Sequence, residues 1–376
     1  MSPQAPIRSG HPPQLTQSPF LLIACQGGAE PALQQRQQRW FPAWQQTAWR
    51  RGVVSFRLPD TTLHEPAWRD RAVPAEVAER LVFGQTMVRC LGQVTGSTMT
   101  ERVTTTTERT SVAPFADVHV WNRDPRLDVD PEAIRGALAQ AHGVPDQPTA
   151  PGAGGLVLDC IVDTADRWWI GWHDLQEPAD HWPGGRYPGH LPPDAVSRAW
   201  LKLDEAISRF DLTFTSGQQA CEFGASPGGA CQRLLAAGLH VIGVDPATID
   251  RRVTDHPRFT HWQKRARDVR LKDLRGCDWL VTDMNIDPTS TMAALERVLA
   301  TTGRRPQGVI ATLKLPDWSR AEALDDWLAR FATWGYQPRV GQLATGGREV
   351  CLVARLTPGR ERRDAAPFFS RQRSRS

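Results

Sequence analysis

Lysine is nearly missing from these 376 residues. Only Lys202, Lys264, Lys272 and Lys314 are lysines, and the other 41 of the 45 basic side chains are arginine. A bias this strong has replaced Lys wherever surface charge alone was needed. Each survivor is therefore a candidate for work that Arg cannot do, chiefly losing a proton, because guanidinium stays charged. Cysteine shows no pattern either. Seven are scattered at 25, 90, 160, 221, 231, 277 and 351, an odd number with no CxxC and no Cys/His pair at zinc spacing. That argues against a disulfide framework and against a structural metal, and fits a reducing cytoplasm. Long apolar runs are lacking as well. The longest near the start, Phe20 to Cys25, is far too short to cross a bilayer, and no basic stretch with a following cleavage site precedes it. Membrane and secretory readings are set aside on that ground.

What remains is the composition of a globular protein, 40% hydrophobic and 23% charged, with a formal charge of +4. The length suggests two or three domains. Charge is unevenly spread. Residues 1–190 carry 17 Arg against 20 acids, residues 191–358 carry 22 basic against 19 acidic groups, and residues 359–376 carry 6 Arg against 2 acids. The basic excess is C-terminal, and most of it lies in a short tail.

Residues 1–18, rich in Pro, Gln and Ser, read as a frayed end. A strand at Phe20–Ala24, a helix over residues 31–50 interrupted by Pro42, a strand at Val53–Leu58, a helix at Glu76–Val82 and a strand at Thr86–Val94 make a first α+β unit, 19–110. Its end, Thr95–Thr110, holds eight threonines and reads as a linker or exposed hairpin. A second α+β unit, 111–187, has a strand at Asp117–Trp121 and a helix at Asp130–His142. A Pro/Gly turn at Pro148–Gly155 comes next, then the strand pair Leu156–Asp163 and Arg167–His173. From 188 to 358 strand and helix alternate, which predicts a parallel sheet covered on both faces. The short link between Arg339–Leu343 and Glu349–Arg355 adds one antiparallel strand. Residues 359–376 read as a basic disordered tail.

The chemistry-bearing motifs all fall in this third unit. CEFGASPGGACQRLLAAG, 221–238, is a strand, a glycine loop and a helix. Its G-x-x-x-G-G spacing misses the dinucleotide fingerprint. Asp245 ends the next strand, where a carboxylate can bind ribose hydroxyls. A nucleoside ligand without pyrophosphate fits, S-adenosylmethionine (SAM) being one, and a plain strand–turn–helix is the bland alternative. CDWLVTDMN ends a buried strand in Asp283, at the sheet edge where ligands bind. GVIATLKLP puts Lys314 inside an apolar strand, where an amine is costly unless paired or deprotonated. DAVSRAWLKLDEA puts Lys202 in a helix, with Asp204 and Glu205 as ordinary solvent-side partners. GGREVCLVA opens a strand with Glu349. Fifteen Trp are read as core packing before base stacking.

Taken together, Lys202, Asp283, Lys314 and Glu349 resemble the Lys–Asp–Lys–Glu tetrad of the FtsJ-like (RrmJ-type) ribose 2′-O-methyltransferases, most closely the RlmM-like branch. SRAWLKLDEA, FGASPGG, VTDM, LKLP and REV occur in the same order over about 190–356. FLLIACQGGAEPAL and LVFGQTMVRC extend a weaker likeness to the N-terminal half. Glu222 and Phe223 depart from the family's usual Asp–Leu. The resemblance implies an α/β, Rossmann-like class I SAM-dependent methyltransferase domain at 188–358, preceded by ferredoxin-like (19–110) and THUMP-like (111–187) RNA-recognition units. It implies catalytic Lys202, Asp283, Lys314 and Glu349, with Lys314 as the base. SAM would meet Gly224, Ala225, Ser226, Pro227, Gly228 and Gly229, then Asp245, Asp268 near the adenine, and Asp283. The implied partner is 23S ribosomal RNA or a ribosomal precursor, and the implied protein is a cytoplasmic monomer without membrane or metal. Two other readings stay open: a SAM enzyme with another acceptor, and a non-catalytic RNA-binding or assembly factor. No Asn/Asp-Pro-Pro-aromatic motif comes after Met284, which argues against base N-methylation.

Overall fold

The computed structural model describes residues 15, 18–69, 71–111, 113–145, 154–300 and 305–357. The tail 359–376 and most of the Pro148–Gly155 turn lie outside them, as does most of 1–18. The two described residues of that first segment are held in place. Leu15 is buried and its carbonyl accepts from Trp172 Nε1 at 3.1 Å, while the Ser18 carbonyl accepts from Arg89 Nη1 at 3.0 Å. The chain divides into two compact units at Tyr187/Pro188.

In the first unit, seven strands form one sheet: β1 (Phe20–Ala24), β2 (Gln45–Arg50), β3 (Val53–Arg57), β4 (Thr86–Thr95), β5 (Asp117–Asn122), β6 (Leu156–Thr164) and β7 (Arg167–Asp174), in the order β2-β3-β1-β4-β7-β6-β5. Strand β4 pairs antiparallel with β1 on one side and with β7 on the other. The sheet therefore crosses the 110/111 boundary expected from the sequence, and residues up to 187 make one unit where two were expected. Two element assignments also change. The helix expected over 31–50 stops at Trp40 (α1, Glu30–Trp40), and residues 45–50 become the exposed edge strand β2. Pro42 ends the helix, as its missing N–H requires, and residues 45–50 pair with β3 instead. The threonine-rich segment is a helix, α2 (Met99–Thr110). Threonine is a poor helix former, but here Thr98 and Glu101 form a capping box. Thr106 and Thr110 each return their hydroxyl to the carbonyl four residues back at 2.7 Å. Helix α3 (Pro131–His142) starts on its Asp130 cap. Its Ile134 and Leu138 join Val118, Leu158, Trp168 and Trp172 in one apolar cluster.

In the second unit, helices α4 (Ala199–Arg209), α5 (Gly229–Ala236), α6 (Pro288–Leu299) and α7 (Leu324–Thr333) accompany a second seven-stranded sheet. Its strands are β8 (Gln219–Phe223), β9 (His240–Val244), β10 (Phe259–Trp262), β11 (Trp279–Thr282), β12 (Gly308–Lys314), β13 (Tyr336–Gly341) and β14 (Glu349–Leu356), in the order β10-β9-β8-β11-β12-β14-β13. All neighbours are parallel except the two pairs that β14 makes. That is the expected parallel sheet with one reversed strand, plus β10, which the sequence pattern does not reveal. Strands β8 and β11 are buried along their whole length, as parallel strands covered on both faces must be. The order turns outward on either side of β8 and β11, and ligands of open α/β sheets bind beyond the strand ends at such a point.

Candidate functional site

Strand pairing alone brings two of the four tetrad residues together. Lys314, last in β12, lies directly opposite Glu349, first in β14. Asp283 comes just after the last residue of β11, the strand next to β12. Lys202 reaches the same point from α4. Its Nζ lies 2.5 Å from Asp283 Oδ2 and 3.1 Å from Glu349 Oε1. Lys314 Nζ lies 3.0 Å from Asp283 Oδ1 and also donates to Glu349 Oε2. Each amine thus bridges both carboxylates, and each carboxylate both amines, in a closed, charge-balanced ring. Its side chains are only 9–23% exposed. Removing one member would leave a partly buried charge unpaired, which is costly.

The ring sets its own protonation. Burial lowers the Lys314 amine, but the Asp283 and Glu349 carboxylates more than offset this and hold it above its ordinary value. Burial raises Asp283, and the two lysines outweigh it, so the carboxyl sits below its ordinary value. Lys314 is therefore an ammonium in this state. Of the two states open to a lysine inside an apolar strand, paired or deprotonated, the structure holds the paired one, because two carboxylates converge on it.

A cavity of about 800 Å³ opens beside the ring, within the usual range for small-molecule sites. Gly224 after β8, Asp245 after β9, Met284 after Asp283 and Arg297 of α6 line it. The Asp245 carboxylate is fixed by backbone N–H groups, from Ala247 at 2.8 Å and Ser226 at 3.2 Å. It retains lone pairs for a ligand's hydroxyls. Arg297 donates to the carbonyls of Ala266 and Val269 at 2.8 and 3.0 Å, holding in place the loop whose residues 265–267 also line the cavity.

Of the residues expected to meet a nucleoside, Gly224 and Asp245 line this cavity. Ala225, Ser226, Pro227, Gly228 and Gly229 do not line it. Gly228 has φ +120°, and a Cβ there would meet Val253 at 2.9 Å. A Cβ on Gly229 would lie 2.3 Å from Ser197 Oγ and 3.0 Å from the Trp200 nitrogen. The glycine pair is explained by tight packing of α5 as much as by a ligand. Asp268 is exposed, beside the lining residues Arg265–Arg267. Asp283 faces the ring, in a narrow crevice with Lys202 and Thr312, while its neighbour Met284 faces the cavity.

One supporting residue was read in the sequence only as a solvent-side partner of Lys202. Glu205 is fully buried and accepts from the backbone N–H groups of Ala344 and Thr345 at 2.7 and 2.8 Å, and from Thr345 Oγ1 at 2.7 Å. It ties down the loop that leads to Glu349. Its place three residues after Lys202, on the same helix face, was the available signal. Neither Asp204 nor Glu205 pairs with Lys202 as a surface partner would; Asp204 accepts from Arg233 Nε at 2.6 Å.

Residues 195–315 match the family model described as FtsJ-like methyltransferase. That span holds Lys202, Asp283 and Lys314 and ends before Glu349. Among curated proteins, the chain is 34% identical over 196 residues to the "Ribosomal RNA large subunit methyltransferase M" of Laribacter hongkongensis, covering 48% of this chain and 54% of that protein. It is 29% identical over 188 residues to the protein of that name in Halorhodospira halophila, covering 49% and 54%. With that of Methylococcus capsulatus it shares 30% over 192 residues, covering 48% and 53%. The chain spans about half the length of the curated relatives it matches. The likeness to FtsJ-like methyltransferases thus lies in residues 195–315 of this chain.

Proposed function

We propose that this protein is a SAM-dependent RNA methyltransferase acting on a ribose 2′-hydroxyl of large-subunit (23S) ribosomal RNA. The observation that carries the reading is the closed Lys202–Asp283–Lys314–Glu349 ring beside a cavity with an acidic residue at its rim. The cavity suits SAM in size and in chemistry. Asp245 would accept from the ribose hydroxyls, and the apolar wall at Ile286, Ala293 and Ala294 would take the adenine face. SAM, when bound, supplies a methyl group on a cationic sulfur. A 2′-hydroxyl is a poor nucleophile until its proton leaves, so the protein's part is to take that proton and hold the oxygen in line.

Lys314 is the proposed base, and Lys202, Asp283 and Glu349 its positioning partners. The amine must first give up the proton that the two carboxylates secure. A cation bound nearby disfavours a second positive charge, so the donor site itself would help lower Lys314. The ferredoxin-like and THUMP-like readings of 19–110 and 111–187 belong to this proposal as RNA-recognition parts of a single sheet, as does the expectation of a cytoplasmic monomer. Among the described residues no helix is long and apolar enough to cross a membrane.

The test is single-turnover transfer from radiolabelled SAM to unmodified 23S RNA. Lys314→Ala and Lys314→Arg should each lower the rate by at least about 10²-fold, the usual contribution of a general base, while SAM affinity by calorimetry stays within a few-fold. Full turnover by Lys314→Arg would overturn the assignment of the base. Absence of any SAM binding by the unaltered protein would overturn the activity.

A further inference from the structure

A second cluster of chemical side chains lies in the first unit and plays no part in the proposed methyl transfer. His119 of β5 pairs in register with Asp159 of β6, and His173 of β7 stands opposite Val157, two residues along β6 from Asp159. Residues opposite one another, or two apart, share a face of a sheet. All three side chains therefore project from the same face of three neighbouring strands. They are 2%, 0% and 5% exposed, and one donor atom from each lies within 4.8 Å of the other two.

Their hydrogen bonding is incomplete in a specific way. His173 Nε2 faces the Asp180 carbonyl at 2.8 Å, which fixes the ring and turns Nδ1 toward Asp159 Oδ2 at 2.5 Å. A histidine that ligates a metal through one nitrogen commonly gives the other N–H to a backbone carbonyl. His119 Nδ1 and Asp159 Oδ1 are both buried without a hydrogen-bond partner. Nearby Asp117 accepts through Oδ1 from Arg135 at 3.3 Å and from the Val118 nitrogen at 2.7 Å, and its Oδ2 lies 3.9 Å from His119 Nε2. Segment 178–185 contacts β5, and a Cβ on its Gly184 would meet Trp121 at 2.8 Å. That segment supplies another imidazole, His181, whose Nδ1 is also buried without a partner.

We propose that His119, Asp159 and His173 form a binding site for one divalent transition-metal ion, zinc being the best match to two imidazoles and a carboxylate. Donors of a tetrahedral zinc stand about 3.3 Å apart, given bonds of about 2.0–2.1 Å. The Asp159–His173 pair would open by less than an ångström to admit the ion, which takes the place of the Nδ1 proton. Such an ion would tie three strands together at one point, whatever reaction the other unit performs.

The experiment uses the full chain, without an affinity tag, grown with zinc and dialysed against metal-free buffer. Elemental analysis should find close to one zinc per chain. After chelation, Co²⁺ alone should restore the visible bands of a tetrahedral site, and Zn²⁺ alone should raise the thermal midpoint. His119→Gln and Asp159→Asn should each weaken zinc about 100-fold or more, while His64→Gln, on an exposed histidine, leaves it unchanged. Because the two cluster variants could fail to fold, the wild-type protein alone also decides the matter. Less than a tenth of a zinc per chain, with no zinc-dependent rise in midpoint, overturns the site. So does wild-type zinc affinity in folded His119→Gln.

Discussion

Glu222 is a carboxyl buried almost completely. It stands in β8 beside the glycine loop, 2% exposed, and accepts from Cys231 Sγ at 2.8 Å. Burial, with Asp283 and Asp245 nearby, pushes its carboxyl up to about 8. The unfolded value is near 4.5, so the native state holds the proton more tightly. The resulting stability is full below pH about 4.5, declines as pH rises, and is gone above about 8, at roughly 1.4 kcal/mol per pH unit. Glu222→Gln should remove that slope. Its thermal midpoint should exceed that of the wild type by several degrees at pH 8.5, with a much smaller difference at pH 5; parallel curves would show that Glu222 does not carry the proton. Lys314 gives the companion prediction for activity. Held above its ordinary value in the free enzyme, it should make kcat/KM rise about tenfold per pH unit from 7 to 9. A plateau below pH 8 would point to another base. At this scale the sequence was legible where chemistry is unusual, as with a lysine inside an apolar strand. It was silent where the partner is distant backbone, as with Glu205 and the amides of Ala344 and Thr345.

At the scale of elements, agreement tracked burial. Strands β9 and β11 are short apolar runs, and both are where the sequence puts them. The two missed strands share a cause. Strands β2 and β10 are largely exposed or half-buried, so neither carries the alternation by which a strand is recognised. Helix α2 has weak propensity and is held by capping and tertiary contacts, with the Arg102 guanidinium 4.7 Å from the Trp168 ring centre. Thr98→Ala removes one half of the capping box, whose hydroxyl accepts from the Glu101 nitrogen at 3.2 Å. The expected loss is about 1 kcal/mol by urea denaturation. An unchanged midpoint would mean that packing alone keeps the helix. The metal-type cluster was invisible for a related reason. His119, Asp159 and His173 are spread over 55 residues and meet only through strand register, so no local spacing announces them.

The whole molecule carries its charge lopsidedly, and this bears on how RNA would be held. Residues 1–190 are slightly acidic, although they include the regions expected to recognise RNA, whereas residues 359–376 carry 6 Arg against 2 acids. Affinity for a polyanion grows with the number of phosphates neutralised, and each contributes about 0.7 to the salt slope on single strands and about 0.9 on duplex. If the acidic half selects RNA by shape and stacking, the electrostatic share must come from the arginines of the other half and of the tail. Replacing Arg360, Arg362, Arg363, Arg371, Arg373 and Arg375 by Ser should flatten the plot of log Kd against log salt by about 3–4. The variant's affinity should approach that of the wild type at high salt, and single-turnover methylation of saturating RNA should change little, because no tail arginine belongs to the ring. An unchanged slope would move the electrostatic contacts onto the 22 basic residues of 191–358 and leave the tail no part in docking.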